Sequence, residues 1–316
     1  MSLTSAVMAV DKSSCKQSQP VKLSDTIGPL GLIAGNGRLP FILAEKLYQR
    51  GTPLAVAIGL KHETDPSLGR LTDFFHLVRL GQFKRIIKLL KRHKVKDLVM
   101  VGGVKKTRMW QTRPDIIAVR LLAKLKHLND DLLLRAVIEI LEERGFRVHS
   151  VTDFVPELLA PPGVLTHNLP NDDQWRDIAF GWKMAKALGD LDIGQGVVVR
   201  QRVVVAAEAM EGTDAMIQRA GPLARGQGIL VKVIKPEQER RIDLPTIGPS
   251  TIKNLHKAGI LMLAIEAGST MILDLEKTLS TAEKLGVSLI SCCQSDIDSG
   301  TPPRLFGNTI EGQSHG

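Results

Sequence analysis

The sequence predicts an α/β protein with two domains: an N-terminal domain built on a Rossmann-like parallel sheet and a C-terminal α/β domain. The chain has 316 residues, and a domain usually holds about 100–200 residues. Short aliphatic runs alternate with amphipathic helical stretches in both halves, a pattern typical of sheets with helical crossovers. Between the halves, residues 156–170 contain four prolines and little periodicity, which indicates a linker.

These features also predict where the domains begin and end. Residues 1–26 are polar and rich in small side chains, without the apolar core that a signal peptide needs. We therefore expect five segments in order: a disordered extension (1–26), the Rossmann-like domain (27–152), the linker (153–171), the C-terminal domain (172–295) and a flexible tail (296–316).

The charge and composition of the chain narrow the choice of partner. The net charge is +9, yet aromatic residues make up only 4% of the chain. Proteins that bind single-stranded nucleic acid usually interleave aromatic and basic side chains, so we expect no nucleic-acid partner. The charge favours phosphorylated small molecules or an anionic membrane surface. Only three cysteines occur, which indicates a reducing compartment.

The first predicted unit is a strand, a glycine loop and a helix. The strand Leu30–Ala34 is followed by a loop whose backbone can approach a phosphate or ribose closely, next to the amide groups of a helix N-terminus. Its candidate binding residues are Gly35, Asn36, Gly37 and Arg38. The loop departs from the dinucleotide fingerprint, because Pro40 stands where the third glycine would be, and no acid directly follows the second strand, 54–59.

Further elements complete the first domain. Helix 82–93 is amphipathic and strongly basic, so its outer face either lies against anionic lipid or is simply solvated. Strand 97–101 runs into a second glycine turn, in which Gly103 is a candidate binding residue, because open α/β sheets bind ligands at the carboxyl ends of strands. Helices 115–125 and 130–143 and strand 147–151 follow.

The second domain opens with helix 173–188 and a predicted hairpin formed by 197–199 and 203–205. Gln195 and Gly196 precede the hairpin and are candidate binding residues. A helix then begins near Thr213. Either Thr213 is its cap and Asp214 an acid in its first turn, or Thr213 and the free amides receive a phosphate while Asp214 contacts a metal.

The stretch 229–248 carries the most chemistry. A strand-like run begins at Ile229, contains Lys232 and Lys235 between apolar residues, and breaks at Pro236. The following loop carries Arg240, Arg241 and Asp243. Cations of this kind neutralise phosphate oxygens, and the carboxylate can hold a divalent metal or orient water. The alternative is a solvated strand end with surface charges. Helix 250–257, strand 261–265, helix 275–285 and strand 287–291 complete the domain.

Six motifs together resemble one family, the UDP-2,3-diacylglucosamine pyrophosphatases of the LpxI type, which act in lipid A biosynthesis. They run in order over roughly residues 28–291. One departure is Asn129, where the family usually has glycine. The motifs are GLIAGNGRLP (31–40), NDDLLLRAV (129–137), LDIGQGVVV (191–199), EGTDAMI (211–217), KPEQERRIDLPTIG (235–248) and AIEAGST (264–270).

The resemblance implies an enzyme whose N-terminal domain helps to bind the nucleotide lipid and whose C-terminal domain is catalytic. It hydrolyses UDP-2,3-diacylglucosamine to UMP and 2,3-diacylglucosamine 1-phosphate, with water attacking the α-phosphorus. It implies a divalent cofactor, Mg²⁺ or Mn²⁺, and a homodimer with exchanged elements. By motif position, Asp243 is the first candidate for the critical carboxylate and metal ligand, and Asp214 is the second. The binding residues implied in the C-terminal domain are Gln195, Gly196, Thr213, Lys232, Lys235 and Arg241.

The resemblance also implies a cytoplasmic protein that associates peripherally with the anionic inner membrane, where its lipid substrate lies. Two other functions remain open from the residues alone. One is a nicotinamide-dependent oxidoreductase, suggested by the first strand, glycine loop and helix. The other is a non-catalytic carrier of a nucleotide-sugar lipid, which would keep the glycine loops and tolerate the loss of Asp214 and Asp243.

Overall fold

The computed structural model describes residues 28–104, 115–124, 130–236 and 238–306. These residues form two compact units. The N-terminal unit contains the described residues up to 158 and, in addition, residues 238–244 from late in the chain. The C-terminal unit contains residues 159–236 and 245–306.

The N-terminal unit is built on a five-stranded parallel sheet with the order β3-β2-β1-β4-β5. This is the strand order of a Rossmann-like sheet, in which the connection reverses direction between β1 and β4. The predicted fold class is confirmed. The strands are β1 (Leu30–Ala34), β2 (Val56–Leu60), β3 (Phe75–Val78), β4 (Asp97–Val101) and β5 (Arg147–His149).

Helices accompany these strands. The basic helix predicted over 82–93 is confirmed as α2, with Ile86, Ile87 and Leu90 buried and its lysines and arginines outward. The described helices are α1 (Leu39–Gln49), α2 (Phe83–Arg92), α3 (Ile116–Lys124), α4 (Asp130–Glu142) and the short α5 (Val151–Phe154).

One buried carboxylate lies in this sheet. Asp97 begins β4 and is fully buried. Its two oxygens accept hydrogen bonds of 2.8 Å from Arg147, and one of them also lies 2.8 Å from Nε2 of His149. Burial alone would raise the pKa of Asp97, but the hydrogen bonds from Arg147 and His149 outweigh burial, and the pKa is lowered. Asp97 therefore ties β4 to β5 as a carboxylate.

The C-terminal unit is built on a mixed six-stranded sheet with the order β6-β13-β11-β9-β7-β8. The three inner strands β9, β11 and β13 are parallel, whereas β7 pairs antiparallel with both β9 and β8. The predicted hairpin is confirmed as β7–β8. The strands are β6 (Gly163–Val164), β7 (Gly196–Arg200), β8 (Val203–Ala207), β9 (Ile229–Lys232), β11 (Met262–Glu266) and β13 (Ser288–Cys292).

Helices cover both faces of this sheet. On one face lies α6 (Asp172–Asp190), which is capped by Asn171. The Asn171 side chain accepts a hydrogen bond from the Gln174 backbone amide, and the Gln174 side chain accepts one from the Asn171 backbone amide. Trp182 of α6 is buried against β7 and β9. The remaining elements are α7 (Thr213–Ala224), α8 (Pro249–Lys257), α9 (Leu275–Leu285), α10 (Gln294–Ser299) and the two-stranded parallel pair β10 (Thr246–Ile247) and β12 (Met271–Ile272).

Two segments differ from the predicted organisation. The predicted linker contains β6, which pairs antiparallel with β13. The predicted tail begins within α10, and its continuation stays attached: the Val164 amide donates to the Arg304 carbonyl at 2.8 Å, and the Phe306 amide donates to the Val164 carbonyl at 2.9 Å. The edge backbone of β6 thus gains partners from the end of the chain. The predicted extension 1–26 and residues 307–316 lie outside the described residues.

Membrane spanning needs a helix of roughly 20 apolar residues. Throughout the described ranges, each helix is too short or too polar to cross a bilayer.

Candidate functional site

The carboxyl edge of the six-stranded sheet collects the chemically interesting side chains of the C-terminal unit. Lys232 is the last residue of β9, and Glu266 is the last residue of β11. Gly196 begins β7 directly opposite Lys232, because β7 runs antiparallel to β9. Glu208 follows the end of β8 and donates its amide to the Gly196 carbonyl at 2.8 Å. Open α/β sheets bind ligands at this edge.

Glu208 and Lys232 form a hydrogen-bonded chain with the half-buried Thr213, and these three residues are hereafter called the buried triad. The Lys232 Nζ lies 2.6 Å from the Thr213 Oγ1, and the Thr213 hydroxyl donates to Glu208 Oε1 at 2.6 Å. Glu208 is 7% exposed and Lys232 is 5% exposed. An ammonium and a carboxylate are thus held in the protein interior with a hydroxyl between them.

This edge also carries buried polar atoms that lack partners. Of five buried side-chain atoms without a hydrogen bond in the described part of the chain, four lie here. They are Gln195 Oε1, Glu208 Oε2, Thr270 Oγ1 and Ser291 Oγ. Buried polar groups are almost always paired in folded proteins, so such a concentration requires an explanation. A ligand that brings its own donors and acceptors to this edge is one explanation.

A half-buried ion pair between Lys186 and Glu266 fixes the backbone beside the triad. Lys186 of α6 donates to Glu266 Oε2 at 2.7 Å and to the Ile234 carbonyl at 3.1 Å. The same Glu266 oxygen accepts from the Ile234 amide at 3.0 Å. The Lys186 ammonium also lies 5.6 Å from the centre of a Trp182 ring. The stretch following β9 is therefore held to β11 and α6.

The predicted site residues of this unit do not all meet at the triad. Lys235 forms an ion pair with Asp192 at 2.8 Å. Asp214 lies on the exposed side of α7 and accepts a hydrogen bond from Asn254 of α8 at 2.9 Å. Gln195 is joined to the end of β9 through its carbonyl, which accepts from the Val233 amide at 3.0 Å.

The predicted cap role of Thr213 is wrong. Gly212 occupies the position before α7, with φ of 80°, and no side chain caps the helix there. Thr213 is the first helical residue, and its hydroxyl is engaged by Lys232 and Glu208 instead. A long-range contact with β9 has replaced the local one.

Asp243 lies in the segment 238–244, which belongs to the N-terminal unit. The Gln238 side-chain amide donates to Asp243 Oδ2 at 2.6 Å. Within the same segment, Ile242 packs against the core of that unit. The sequence places this loop directly after β9, so its assignment to the other unit was not predicted.

Arg241, predicted to bind substrate, is held by two acids of the same unit. Its guanidinium lies 2.9 Å from Glu239 and 2.7 Å from Glu142 of α4. The hydrogen bond from Arg241 lowers the pKa of Glu239. Arg240 contributes its carbonyl, which lies 3.5 Å from the Ser150 hydroxyl. These contacts dock the segment onto the N-terminal unit.

The two predicted metal ligands, Asp243 and Asp214, belong to different units. Nor do the described stretches contain a cluster of three or more His, Cys, Asp or Glu side chains that could hold a metal ion by themselves. Mg²⁺ is commonly held by one or two carboxylates together with substrate phosphates and water. A site of that kind does not require a preformed cluster of three protein ligands.

The glycine loops of the N-terminal unit pack against each other. The amide of Gly35 donates to the Val101 carbonyl, and Asn36 and Gly103 exchange backbone hydrogen bonds of 2.8 and 3.2 Å. A side chain at Gly35 would meet the Gly102 carbonyl oxygen at 2.6 Å, so glycine is required there. The loops after β1 and β4 are thereby locked together at the point where open α/β sheets bind ligands.

The rest of the first loop is more open. The Asn36 side chain donates to Glu63 Oε2 at 2.8 Å. Gly37 has φ of 93° and nothing within 4 Å of a side chain built on it. Arg38 is exposed and pairs with Glu45 at 3.2 Å. Glu63, three residues past β2, thus supplies an acid near the loop, although no acid directly follows the strand.

A groove between α2 and α3 is lined by cations, hereafter the basic groove. Its lining residues are Lys84, Ile87, Lys88, Lys91, Ile116, Ile117, Arg120 and Arg144. The lysines and arginines are exposed, and Ile116 and Val119 are half exposed. No acid lines the groove within the described residues. Exposed aliphatic side chains surrounded by cations are typical of surfaces that meet anionic lipid.

Several residues of these sites were not predicted from the sequence: Glu208, Glu266, Lys186, Gln238 and Glu63. Glu266 carries a readable signal, because it is a lone charge inside an apolar run at the carboxyl end of a strand. Glu208 similarly follows the second strand of the hairpin. Lys186 carries no such signal, because its partner Glu266 lies 80 residues further along the chain. Gln238 is only 5 residues from its partner Asp243, but nothing in the sequence indicates that their side chains meet.

Comparisons with known proteins agree on the family. The LpxI N-terminal domain model matches residues 29–158, and the LpxI C-terminal domain model matches residues 161–290. A protein of Caulobacter vibrioides named UDP-2,3-diacylglucosamine pyrophosphatase LpxI is 36% identical over 272 residues, which cover 83% of this chain and 96% of that protein.

Solved structures give only distant likenesses. A biotin carboxylase domain of a thermophilic 2-oxoglutarate carboxylase is 13% identical, with a TM-score of 0.24, over 54% of this chain and 35% of that one. An L-threonine dehydrogenase from Phytophthora infestans is 13% identical, with a TM-score of 0.24, over 45% of this chain and 41% of that one. Neither likeness is high enough to support an argument. The two domain matches span most of the described sequence in the expected order, and the chain belongs to the LpxI family.

Proposed function

We propose that the protein hydrolyses the pyrophosphate bond of UDP-2,3-diacylglucosamine, releasing UMP and 2,3-diacylglucosamine 1-phosphate in lipid A biosynthesis. The observation that carries the proposal is the match of both LpxI domains together with 36% identity to a relative named for this activity. The residues of the carboxyl edge support it, because the buried Lys232 ammonium suits an anionic ligand.

In the proposed mechanism, water attacks the α-phosphorus and the sugar 1-phosphate leaves. Lys232 donates to diphosphate oxygens as negative charge develops on them, and Thr213 holds the ammonium in place. Gln195 and Thr270 offer buried polar atoms to the sugar and phosphate groups. Asp243, which accepts a hydrogen bond from Gln238, is proposed by its position in the family motif as the carboxylate for the attacking water. Arg241 and Glu239 anchor the segment that carries Asp243.

We propose Mg²⁺, or Mn²⁺ in its place, as the cofactor. Asp243 would hold the ion, with Asp214 as the second candidate, and substrate phosphates would complete the site. Bound Mg²⁺ would neutralise charge on the diphosphate and make the attacking water more acidic. Asp214 is the weaker candidate because it lies exposed with Asn254 as its partner.

The decisive experiment is hydrolysis of UDP-2,3-diacylglucosamine in oxygen-18 water, with Mg²⁺, with Mn²⁺ and with a chelator. Wild type is compared with Asp243→Asn, with Asp214→Asn and with Asp73→Asn, an exposed aspartate of the N-terminal unit. We expect labelled UMP from the wild type and the Asp73 variant, and loss of turnover with the chelator and in the Asp243 variant. Lipid that binds without releasing UMP under any metal would instead favour the carrier function.

We also propose that the protein associates peripherally with the cytoplasmic face of the inner membrane, where the lipid substrate lies. The basic groove supports this, because its cations and its exposed Ile116 complement an anionic leaflet. Each lysine or arginine near such a surface contributes about 1 kcal/mol of attraction.

A homodimer with exchanged elements is the remaining part of the proposal. Its support is membership of the LpxI family. Sedimentation velocity over a range of protein concentrations tests it, and a single species with the mass of one 34.5 kDa chain would contradict it.

A further inference from the structure

The buried triad has a fixed direction of proton donation. An ammonium can only donate, so the Thr213 oxygen accepts from Lys232. The hydroxyl hydrogen of Thr213 is then directed to Glu208 Oε1, which accepts. Thr213 therefore has no hydroxyl hydrogen left to donate to a substrate. Because Glu208 fixes the orientation of the Thr213 hydroxyl, it also fixes where the Lys232 ammonium is held.

The arrangement is costly for stability. Burying a carboxylate and an ammonium is unfavourable unless both are fully paired. Here the second oxygen of Glu208, Oε2, is buried without a partner in the described part of the chain. A side-chain carbon built on Gly196 would lie 2.9 Å from this oxygen, and Met216 and Leu230 lie 3.6 and 3.7 Å from that same carbon position. A sequence selected only for folding would favour a direct ion pair or apolar residues here.

The backbone is shaped around Glu208. A side chain at Gly196 would meet Glu208 Oε2 at 2.9 Å, whereas a side chain at Gly194 would first meet the backbone of Glu208, whose carbonyl carbon would lie 2.8 Å away. Both glycines of the Gly194-Gln195-Gly196 loop thus make room for this one residue. The contact at Gly196 is the one that involves the Glu208 carboxylate, because the space beside Gly194 is filled by backbone atoms that any residue at position 208 would have.

We propose that Glu208 is a positioning residue, which acts through the Thr213 hydroxyl to hold the Lys232 ammonium towards the diphosphate of the substrate. The proposal rests on the proposed function and adds to it a residue that does not itself touch the substrate. Misplacing a charge-stabilising group by about 1 Å costs on the order of a hundredfold in rate. Loss of Glu208 or of the hydroxyl should therefore lower kcat about ten- to a hundredfold, with little change in KM.

Four variants test the triad by activity. Glu208→Gln removes the charge but keeps size and an acceptor, and Thr213→Val removes the hydroxyl at nearly constant shape. Thr213→Ser restores a hydroxyl, and Glu276→Gln makes the same change as the first variant at an exposed site on α9. We expect kcat to fall in the first two, to recover in Thr213→Ser and to stay at the wild-type value in Glu276→Gln. An undiminished kcat in both Glu208→Gln and Thr213→Val, with melting temperatures retained, overturns the proposal.

A second readout separates this proposal from the proposed reaction. In ¹⁵N-labelled protein, a lysine ammonium held by a buried partner gives a slowly exchanging signal, and Lys232→Arg assigns it. We expect this signal to shift on addition of UDP and to vanish in Thr213→Val. If the wild type does not hydrolyse the lipid, the proposed function fails. The shift of the Lys232 signal on addition of UDP then tests the positioning role by itself. A shift supports that role, and the absence of a shift overturns it. If Glu208→Gln does not fold, the comparison of kcat between Thr213→Val and Thr213→Ser tests the proposal in its place.

Discussion

The Nζ of Lys232, at the end of β9, lies 2.6 Å from the Oγ1 of Thr213, the first residue of α7. This contact joins two residues that are 19 positions apart in the sequence. A cation at the end of a strand and a hydroxyl at the start of a helix are common separately. Together with Glu208 they form a charged unit in the interior, which links the mechanism of the protein to its stability.

Removing the ammonium should have a large effect on catalysis. We expect Lys232→Met to lower kcat/KM by about a hundredfold or more, as when one oxyanion-stabilising donor is lost. The variant should also lose about 1–3 kcal/mol of stability, because Glu208 is left without its counter-charge. Steady-state hydrolysis and thermal unfolding measure the two effects. Lys253→Met, an exposed change on α8, is the control. A folded Lys232→Met protein with near-normal turnover would contradict the proposed role.

The packing of the glycine loops predicts a stability effect at Gly35. A methyl group there would lie 2.6 Å from the Gly102 carbonyl oxygen, so the loops after β1 and β4 must separate. We expect Gly35→Ala to lose about 1–3 kcal/mol, as in other overpacked sites. The matched control is Gly28→Ala, whose methyl group would meet only ordinary contacts, beginning 3.4 Å from Lys96. Equal melting temperatures for the two variants would contradict the described packing.

Asp97 predicts an acid-dependent loss of stability. Its pKa is lowered in the folded protein, so it stabilises the fold above its unfolded pKa, about 4, and this stabilisation is lost as the pH falls through the folded value. We expect Asp97→Asn to cost about 1–3 kcal/mol near pH 6. The difference from wild type should shrink between pH 5 and pH 2. Urea unfolding across this range measures it, and a pH-independent difference would contradict the prediction.

The basic groove predicts salt-sensitive binding to anionic vesicles. Replacing Lys88 and Lys91 with glutamate should weaken binding to phosphatidylglycerol-containing vesicles about thirtyfold or more, since each lysine contributes about 1 kcal/mol. Co-sedimentation at low and high salt measures this. The pair Lys277→Glu and Lys284→Glu on α9 carries the same charge change at another exposed surface. Equal losses for both pairs would show that net charge, and not the groove, governs binding.

The strands and helices could be predicted because their signals are local. Leu30–Ala34 is a continuous apolar run before a glycine loop, and it forms β1 with the predicted bounds. The helix predicted over 275–285 likewise has the observed bounds, with Gly286 at its end in the left-handed conformation that glycine favours. Such signals need no knowledge of distant residues.

The site was less predictable because its contacts are long-range. Thr213 after Gly212 has the local pattern of a cap, and only the approach of Lys232 changes its role. Glu208 has no motif of its own, and its importance follows from its burial and its neighbours. Asp243 follows β9 closely in sequence, yet Ile242 beside it packs in the other unit. The roles proposed for Asp243, Asp214 and Mg²⁺ stay predictions.

The placement of residues 238–244 affects how the protein can be divided. Within the described residues the chain passes between the two units three times, so no single cut separates them. A fragment ending at Leu158 would lack Ile242 from its core and Arg241 as the partner of Glu142. A fragment that begins at residue 159 would contain Ile242 and Arg241 without the N-terminal residues against which they pack. To isolate the C-terminal unit, a short turn must therefore replace residues 238–244. To isolate the N-terminal unit, the same residues must be fused to it through a linker.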